Sequence, residues 1–405
     1  MPAPLQMTAS TIQPQTLTEP VAQLRTPHIY MVAGEISGDT HAAALMAALR
    51  ERCPGVRFSG AGGDQMQAHG AEPFLHWTDA AVVGLWDVLK NYGYFRKRLD
   101  AMVREVLDLK PDLLVTVDYP GFNLRLAKAI KARRPEQKIA HYISPQVWAW
   151  NRGRIPKMAR YLDAMLCIFP FEPPLYEASG LHAEFVGHPL IDELKAHRAE
   201  PPPRENGLIA LFPGSREREL AHNAPAMLAA AQFLRARRPS LRFEIACAKP
   251  KFEPMLAAMI TEAGLPFSAV QIRLGAAHQL MQRAQAGMMA SGTATLEAAY
   301  FGMPYCIVYK VAWLTWEVGR RLVNVEHLGM VNILSQREVV LEFLQKNAQT
   351  EPIANEMLRL MDDHAYTNRL ERALEVAVAK LTPADETTSA SAPARAADAL
   401  LQMVE

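Results

Sequence analysis

The feature that most constrains the fold is an alternation of short apolar runs with helical segments. In the first half of the chain these runs are 28–33, 56–58, 113–117, 138–142, 164–168 and 184–186. The run at 113–117 (LLVTV) is the pattern expected of a strand buried on both faces. The alternation predicts a parallel sheet with helices on both sides.

A proline-rich segment at 196–206 (AHRAEPPPREN) interrupts this pattern and is typical of an interdomain linker. After it the pattern restarts, with strands expected at 208–212, 242–246, 271–274, 286–289 and 305–308. A length of 405 residues also fits two domains. We therefore predict an α/β protein of two doubly wound, Rossmann-like domains, 28–195 and 207–365, whose ligands bind in the cleft between them.

The two ends of the chain have a different character. Residues 1–27 are rich in Gln, Thr and Pro and are expected to be a disordered extension, not a signal peptide. Residues 366–405 are expected to form a C-terminal helix, which can return to the first domain, and a flexible tail. The Ser/Thr/Ala-rich stretch 384–396 is likewise expected to be disordered.

Composition excludes several classes of protein. A net charge of +1 gives no reason to expect a nucleic-acid partner. The four cysteines form no CxxC pair, so a disulfide framework and a cysteine zinc site are both disfavoured, and reduced thiols in the cytoplasm are expected. No run of about 18 uncharged apolar residues is present, so no membrane span is expected. Oligomerisation stays open.

Two loops of the first half carry polar groups directly after predicted strands. In 34–39 (GEISGD), Ser37 or Asp39 can cap the following helix, but Glu35 inside a glycine turn is not needed for capping and favours function. In 118–123 (DYPGFN), Asp118 stands where a general base would, and Asn123 can bind a sugar hydroxyl. The alternatives are a capped glycine turn and an Asx turn.

A third loop, 144–150 (SPQVWAW), places two tryptophans beside Ser144 and Gln146. Such a set suits sugar stacking or contact with an acyl chain, with Trp148 as the candidate. The alternative is that both tryptophans pack in the core.

Two loops of the second half are typical of phosphate binding. Gly214, Ser215 and Arg216 open a helix, where free N–H groups, the helix dipole and a guanidinium favour a diphosphate. Small hydroxyl residues also begin the helix after the strand 286–289, and Glu297 there can accept from ribose hydroxyls. The candidates in this second loop are Ser291, Gly292, Thr293 and Glu297. Both loops also fit plain capped helices.

Several motifs are absent from the sequence. It has no G-x-x-x-x-G-K-[ST], and GAGGDQ at 60–65 lacks the last glycine of a dinucleotide fingerprint. It has neither H-E-x-x-H nor D-x-D, so we expect a mechanism without metal or cofactor. Arg216 and the helix N-termini would then stabilise the leaving diphosphate.

Eight motifs taken together resemble one enzyme family in content and order. They are AGEISGDTHAAAL (33–45), GAGGDQMQAHG (60–70), KPDLLVTVDYPGFN (110–123), HYISPQVWAWNRGRI (141–155), FPFEPPLYEASG (169–180), FVGHPLID (185–192), LFPGSRERE (211–219) and ASGTATLEAAYFGMP (290–304). This set resembles the lipid-A-disaccharide synthase family. The resemblance implies the GT-B fold and transfer from UDP-2,3-diacylglucosamine to 2,3-diacylglucosamine 1-phosphate (lipid X), giving a β-1,6-linked disaccharide and UDP.

The resemblance also implies roles for single residues. Arg216 matches the arginine expected to hold the donor diphosphate, and Asn332 an asparagine expected near the nucleotide. Gly292, Thr293 and Glu297 match the nucleotide-binding SGTxxLE, and Glu35, Ser37, Gly38 and Asp39 match the acceptor loop.

One position departs from the family pattern. Many members have an aspartate where this chain has Gly121, and that aspartate is a candidate base. Asp118 is therefore the first candidate here, with Glu35, Asp39 and His188 as alternatives.

Acylated substrates imply an anionic membrane surface, at the cytoplasmic face of the inner membrane. The aromatic and basic segments 82–107 and 311–322 fit peripheral contacts, although both also fit amphipathic core helices. Two alternative functions remain. One is a UDP-N-acetylglucosamine 2-epimerase or another GT-B enzyme, and the other is a non-catalytic nucleotide-sugar-binding protein.

Overall fold

The computed structural model describes residues 26–70, 74–76, 92–198, 203–322, 325–384 and 390–404. These residues form two parallel β-sheets. The first sheet consists of β1 His28–Ala33, β2 Arg57–Gly62, β3 Phe74–His76, β4 Leu113–Val117, β5 Ile139–Tyr142, β6 Ala164–Cys167 and β7 His182–Phe185. The second consists of β8 Glu205–Phe212, β9 Arg242–Cys247, β10 Val270–Leu274, β11 Ala284–Met289, β12 Tyr305–Tyr309 and β13 Glu342–Leu344.

Helices connect the strands on both sides of each sheet. In the first half they are α1 Ile36–Arg52, α2 Asp64–Ala68, α3 Tyr92–Leu109, α4 Pro120–Lys131, α5 Val147–Trp150, α6 Ile155–Met158, α7 Pro173–Glu177 and α8 Pro189–Lys195. In the second half they are α9 Glu217–Arg237, α10 Glu253–Glu262, α11 Ala277–Arg283, α12 Ala294–Tyr300, α13 Trp313–Leu322, α14 Met330–Ser335, α15 Thr350–Asp362, α16 His364–Ala379 and α17 Ala392–Gln402.

The strand order confirms the predicted fold class. The first sheet runs β3-β2-β1-β4-β5-β6-β7 and the second β10-β9-β8-β11-β12-β13, with every pair parallel. In each sheet the order reverses beside the first strand, between β1 and β4 and between β8 and β11. Such switch points open a crevice at the carboxyl ends of the strands. The loops singled out above all follow those ends.

Three details of the sheets differ from the prediction. The sequence 60–62 (GAG) belongs to β2, although the predicted run ends at Phe58. Gly60 makes this possible, because a Cβ there would lie 1.8 Å from the Met31 carbonyl oxygen of the neighbouring strand. The edge strands β3 and β13 were not predicted, since three residues are too few to show a period.

The predicted linker and the second domain meet earlier than expected. Residues 199–202 lie outside the described part of the chain, and β8 already begins at Glu205. The partly buried Arg204 guanidinium donates to the carbonyl oxygens of Ala284 and Phe301, at 2.8 Å each. Arg204 is therefore anchored in the second domain.

The C-terminal residues form two helices that contact different domains. The first, α16, packs on α12 and α14. The second, α17, packs on α1, where Arg52 and Asp398 form an ion pair, and Asp192 accepts the Ala392 N–H at 2.7 Å. The predicted disorder of 384–396 is wrong for its last part, because Ser391 caps α17. Residues 385–389 and nearly all of 1–27 lie outside the described residues.

The two segments predicted to contact a membrane are only partly described. Residues 82–91 lie outside the description, 92–107 fall in α3, and most of 311–322 forms α13. No helix among the described residues is long and apolar enough to cross a bilayer.

Candidate active site

A cavity of about 640 Å³ lies between the two domains, where the carboxyl ends of their strands face each other. Both domains line it. From the first domain come Ser37, His41, Asp118, Pro120, Ile143–Val147, Trp150, Arg154, Ile168, Phe169, His188, Leu190 and Glu193. From the second come Ser291–Thr293, Leu296, Glu297, Leu328 and Met330.

The first-domain edge of the cleft is built from strained backbone. Asp118 and Tyr119 have φ of 48° and 44°, and the β-branched Ile143 has φ of 68°. Left-handed residues other than glycine cost about 1–3 kcal/mol each and persist only where packing over-determines them. Asn123 supplies part of that restraint, since its amide donates to the carbonyl oxygens of Val117 (3.1 Å) and Asp118 (2.7 Å).

That restraint changes the interpretation of Asn123. Its side chain is fully buried and lies inside the first domain. The structure therefore contradicts its expected contact with a sugar hydroxyl. Gly38 is also buried, beneath the loop, while Ser37 is exposed and lines the cleft.

Two carboxyl groups share the first-domain edge. Burial raises the pKa of Asp118, although the Tyr119 backbone N–H opposes this. Partial burial raises the pKa of Glu35, the neighbouring Asp118 raises it further, and Arg216 lowers it. Glu35 thus lies close enough to sense both the first-domain carboxylate and the second-domain guanidinium.

Asp39 has a structural role. It lies within the first turn of α1, and its carboxylate accepts the backbone N–H groups of Gly63 (2.8 Å), Gln65 (3.0 Å) and Met66 (3.1 Å). It therefore caps α2, not α1 as expected. With both oxygens engaged and the side chain buried, it is a poor base for a substrate in the cleft.

His188 lines the cleft as a neutral ring. Burial lowers its pKa to about 4, and the nearby His41 adds to that shift. Its Nδ1 accepts the Leu190 N–H at 3.2 Å, which caps α8 and leaves the ring proton on Nε2. His188 is therefore equipped to donate a hydrogen bond and not to remove a proton.

In the loop after β5 the two tryptophans have different surroundings. Trp148 is buried and its Nε1 donates to the buried Glu172 at 3.0 Å. Trp150 is 49% exposed and lines the cleft. The stacking candidate is therefore Trp150, and the choice of Trp148 is contradicted by its burial.

The two polar candidates of that loop both line the cleft. Ser144 is buried, with its hydroxyl 2.6 Å from the Tyr176 hydroxyl, and Gln146 is exposed at the start of α5.

The predicted diphosphate loop is already filled by a carboxylate. Glu219 accepts the N–H groups of Ser215 (2.9 Å) and Arg216 (3.3 Å), and it pairs with the Arg216 guanidinium at 2.8 Å. Gly214, with φ of 122°, permits this approach, because a Cβ there would lie 2.5 Å from that of Glu219. The expected free N–H groups are thus occupied, although the Arg216 side chain stays 71% exposed.

The other second-domain loop lies open at the cleft. Gly292 and Thr293 are exposed, and the Ser291 hydroxyl donates to the Leu328 carbonyl at 3.1 Å. Glu297 lines the cleft and lies 3.1 Å from His278 Nε2.

Asn332 does not reach this loop. It is fully buried, and its amide is bonded to Val340 and Glu342. Its side chain is thus committed to protein partners, and its expected place near a nucleotide stays a prediction.

Sequence reasoning missed several cleft residues. His41 and Glu193 lie 3.5 Å apart on α1 and α8, and Arg154 and Phe169 also line the cavity. His41, Arg154 and Phe169 stand in motifs already singled out, whereas Glu193 directly follows one of them and no sequence pattern marks it. Among the described residues, no group of three or more His, Cys, Asp or Glu side chains is placed to hold a metal.

Solved structures share this architecture at low sequence identity. A UDP-N-acetylglucosamine 2-epimerase from Neisseria meningitidis aligns with a TM-score of 0.57 at 10% identity, covering 93% of this chain and 99% of that one. MurG from Acinetobacter baumannii aligns with a TM-score of 0.56 at 14% identity, with the same coverage. This likeness concerns the fold alone, and it confirms the expected GT-B architecture.

Sequence comparison identifies the family. A family model described as lipid-A-disaccharide synthetase matches residues 29–394. The lipid-A-disaccharide synthase of Geobacter sulfurreducens is 38% identical over 362 residues, covering 87% of this chain and 92% of that protein. That of Nitrosococcus oceani is 37% identical over 377 residues, covering 88% and 96%. The chain therefore belongs to the lipid-A-disaccharide synthase family and is a glycosyltransferase of lipid A biosynthesis.

Proposed function

We propose that the enzyme transfers the sugar of UDP-2,3-diacylglucosamine to the 6-hydroxyl of lipid X in a single displacement that inverts the anomeric centre. The family implies lipid-linked sugar substrates, and the cleft supports their arrangement. The observation that carries the proposal is the Asp118 carboxyl on one wall of the cavity, opposite the phosphate-type loop Ser291–Thr293 on the other. The acceptor would lie against the first domain and the nucleotide against the second.

Asp118 is the general base of this proposal. Asp39 is committed to three backbone N–H groups, and His188 carries its proton on the free ring nitrogen. Of the two remaining candidate bases, Asp118 lines the cavity, whereas Glu35 is not among its lining residues. The raised pKa of Asp118 suits a base, because a more basic carboxylate has a larger driving force for proton removal.

Arg216 is the residue that would stabilise the departing UDP. Its exposed guanidinium can make charge-assisted hydrogen bonds to the diphosphate. The Ser215 and Arg216 N–H groups become available once Glu219 turns away, which makes Glu219 an internal mimic of the phosphate. Glu297 is placed to accept from ribose hydroxyls after leaving His278.

Acylated substrates require an apolar route to the cleft, so we propose that the enzyme acts at the cytoplasmic face of the inner membrane. Large apolar side chains are exposed at the first-domain rim: Ile36, at the start of α1, is 79% exposed and Trp150 is 49% exposed. On the second domain, Trp313 of α13 is 73% exposed. Side chains of this kind suit acyl chains or an interface.

Product analysis tests the reaction. Purified enzyme is incubated with UDP-2,3-diacylglucosamine and lipid X in detergent, and the products are identified by mass spectrometry and NMR. A β-1,6-linked disaccharide 1-phosphate with one UDP per disaccharide is expected. An α-linked product would contradict the inverting step. A 2-epimer of the donor sugar, or no reaction, would contradict the transfer itself.

A further inference from the structure

Positive charge is concentrated in one part of the chain. Between Gly121 and Leu162 the sequence has ten lysines and arginines, and Glu136 is its only acidic residue. Because the whole chain has a net charge of only +1, the remainder must be net negative. A strongly single-signed segment in a nearly neutral protein produces a local field that attracts anions.

The fold gathers part of this charge around a recess on the outer surface of the first domain. The recess has a volume of about 490 Å³ and lies away from the cleft. It is lined by Lys128, Lys131, Ala132, Lys157, Arg160 and Tyr161. Two separate elements, α4 and the segment from α6 to Tyr161, therefore contribute cations to one concave site.

Most of the cations at this recess are uncompensated. Lys131 pairs with Asp163 at 2.9 Å. Lys128, Lys157 and Arg160 are exposed, and within the described residues none of their side chains has an ion pair or a hydrogen bond. Lys128 and Lys157 each lie in the last turn of a helix, where the helix dipole favours a cation, whereas Arg160 lies beyond the end of α6.

The same two elements lead from the recess back to the cleft. Helix α4 starts at Pro120, which lines the cleft, and Lys128 follows two turns later, about 12 Å along the axis. Arg154 lines the cleft and directly precedes α6. Both elements thus reach from the recess to the cleft, at whose rim Trp150 is exposed.

We propose that this recess docks the phosphate headgroups of an anionic lipid bilayer, and so sets the orientation in which the cleft meets the membrane. The inference rests on the proposed action at a membrane, and it adds a contact surface outside the segments 82–107 and 311–322. The free cations match phosphate in charge, and their exposure lets a flat surface reach them. Helix α3, which carries the exposed Arg96 and Lys97 of segment 82–107, packs beside α4, so that segment neighbours the element that forms one side of the recess.

Vesicle sedimentation of the full chain tests the surface. Wild type and the variant K128Q/K157Q/R160Q are compared on phosphatidylcholine vesicles with and without 30% phosphatidylglycerol. We expect roughly 100-fold weaker binding of the variant to the anionic vesicles, from about fivefold for each cation. The control K249Q/K346Q/R372Q removes the same charge from exposed second-domain positions and should bind like wild type. Conservative K128R/K157R should retain binding.

The outcomes separate the surface from the reaction. Equal losses in both triple variants, or no loss in either, would overturn the recess as the docking site. Calorimetry with inorganic phosphate tests whether the recess binds a soluble phosphate instead of lipid headgroups. If K128Q/K157Q/R160Q loses phosphate binding but still binds anionic vesicles like wild type, the recess is not the membrane-docking site. If the wild-type protein does not bind anionic vesicles, the proposed action at a membrane is contradicted. Turnover on detergent-solubilised substrates should be the same in K128Q/K157Q/R160Q as in wild type. If wild type itself shows no turnover, the proposed transfer reaction is contradicted, but the docking surface is not.

Discussion

The two walls of the cleft are made in different ways. Among the first-domain residues that line the cavity, Asp118 and Ile143 have left-handed backbone, and neither is a glycine. On the second-domain wall the lining residue with positive φ is Gly292, and Gly214 has a positive φ in the neighbouring Arg216 loop. Side chains on strained backbone are held in fixed positions by the packing around them. Glycine, by contrast, leaves the backbone open to close approach by a ligand.

This difference indicates that the two domains have different roles in the reaction. A base must be held at one place, and the first wall has a rigid carboxyl supported by buried hydrogen bonds. A diphosphate is bound by N–H groups and an exposed arginine, and the second wall offers both once Glu219 is displaced. Chemistry is therefore expected to depend on first-wall side chains, and nucleotide affinity on the second wall.

The largest effect is expected at Asp118. Asp118→Asn should lower kcat by about 10³-fold, because general-base catalysis is lost while the shape of the side chain is kept. In wild type, kcat/KM should fall as pH is lowered, with an acid limb above the usual aspartate range, since burial raises the pKa of Asp118. Steady-state kinetics against pH provides the measurement.

Asp108→Asn is the matched control for that substitution, because Asp108 is exposed on α3. It should leave kcat unchanged. A near-normal kcat in Asp118→Asn would place the base elsewhere, with Glu35→Gln the next variant to measure.

The second prediction concerns the support beneath the first wall. Burial raises the pKa of Glu172 to about 8, well above its unfolded value of about 4.3. Folding therefore favours the protonated Glu172 carboxyl. This contribution to the free energy of unfolding is fully present below the pKa of the unfolded state and is lost as pH rises through about 8. The free energy of unfolding should fall by about 3 kcal/mol between about pH 5 and 8, and Glu172→Gln should flatten this dependence. Urea titrations at several pH values measure it, and an unchanged slope in the variant would be the contrary result.

Arg216 tests the opposite wall. Arg216→Ala should lower kcat/KM for the donor by about 10²-fold, because a charge-assisted contact to the leaving diphosphate disappears. Its neighbour Arg218 is exposed too, and Arg218→Ala serves as the matched control with little expected change. Equal rates for the two alanine variants would remove the role of Arg216.

Substitution of Asn123 tests how far the position of the Asp118 loop depends on the hydrogen bonds from the Asn123 amide. Asn123→Ala removes two buried hydrogen bonds and should reduce the free energy of unfolding by about 2 kcal/mol. A fall in kcat with little change in donor KM would show that the loop around Asp118 has relaxed. The exposed Asn368→Ala is the control, and full activity in Asn123→Ala would argue against rigidity as the source of function.

The smallest effect is expected at Gly121. A Cβ there would meet nothing within 4 Å, and the position is in the first turn of α4. Gly121→Asp should therefore raise the free energy of unfolding by about 0.5 kcal/mol through the helix dipole, with kcat within about twofold. Thermal unfolding and kinetics measure both. A marked change in kcat would show that this position takes part in catalysis.

Local sequence patterns predict the frame of this molecule better than the details of its cleft. The strands 28–33 and 113–117 have the predicted bounds, because continuous apolar runs encode them locally. The loops were predictable for the same reason, as they follow the ends of those strands.

Contacts with residues that are distant in the sequence decide which side chain of a loop faces the cleft. Trp148 points inward because Glu172 accepts its N–H, and Asn332 is buried because Glu342 and the backbone of Val340 bond to it. His41 meets Glu193 only because the fold brings these parts of α1 and α8 together. No local pattern in the sequence records such contacts.

Binding of UDP to two single variants tests the division between the walls most directly. Isothermal titration calorimetry of Arg216→Ala should show UDP affinity weakened at least about tenfold, the loss of roughly one charge-assisted hydrogen bond. Asp118→Asn, despite its loss of turnover, should bind UDP within about twofold of wild type. UDP affinity reduced equally in both variants, or only in Asp118→Asn, would contradict the assignment of base and nucleotide to opposite domains.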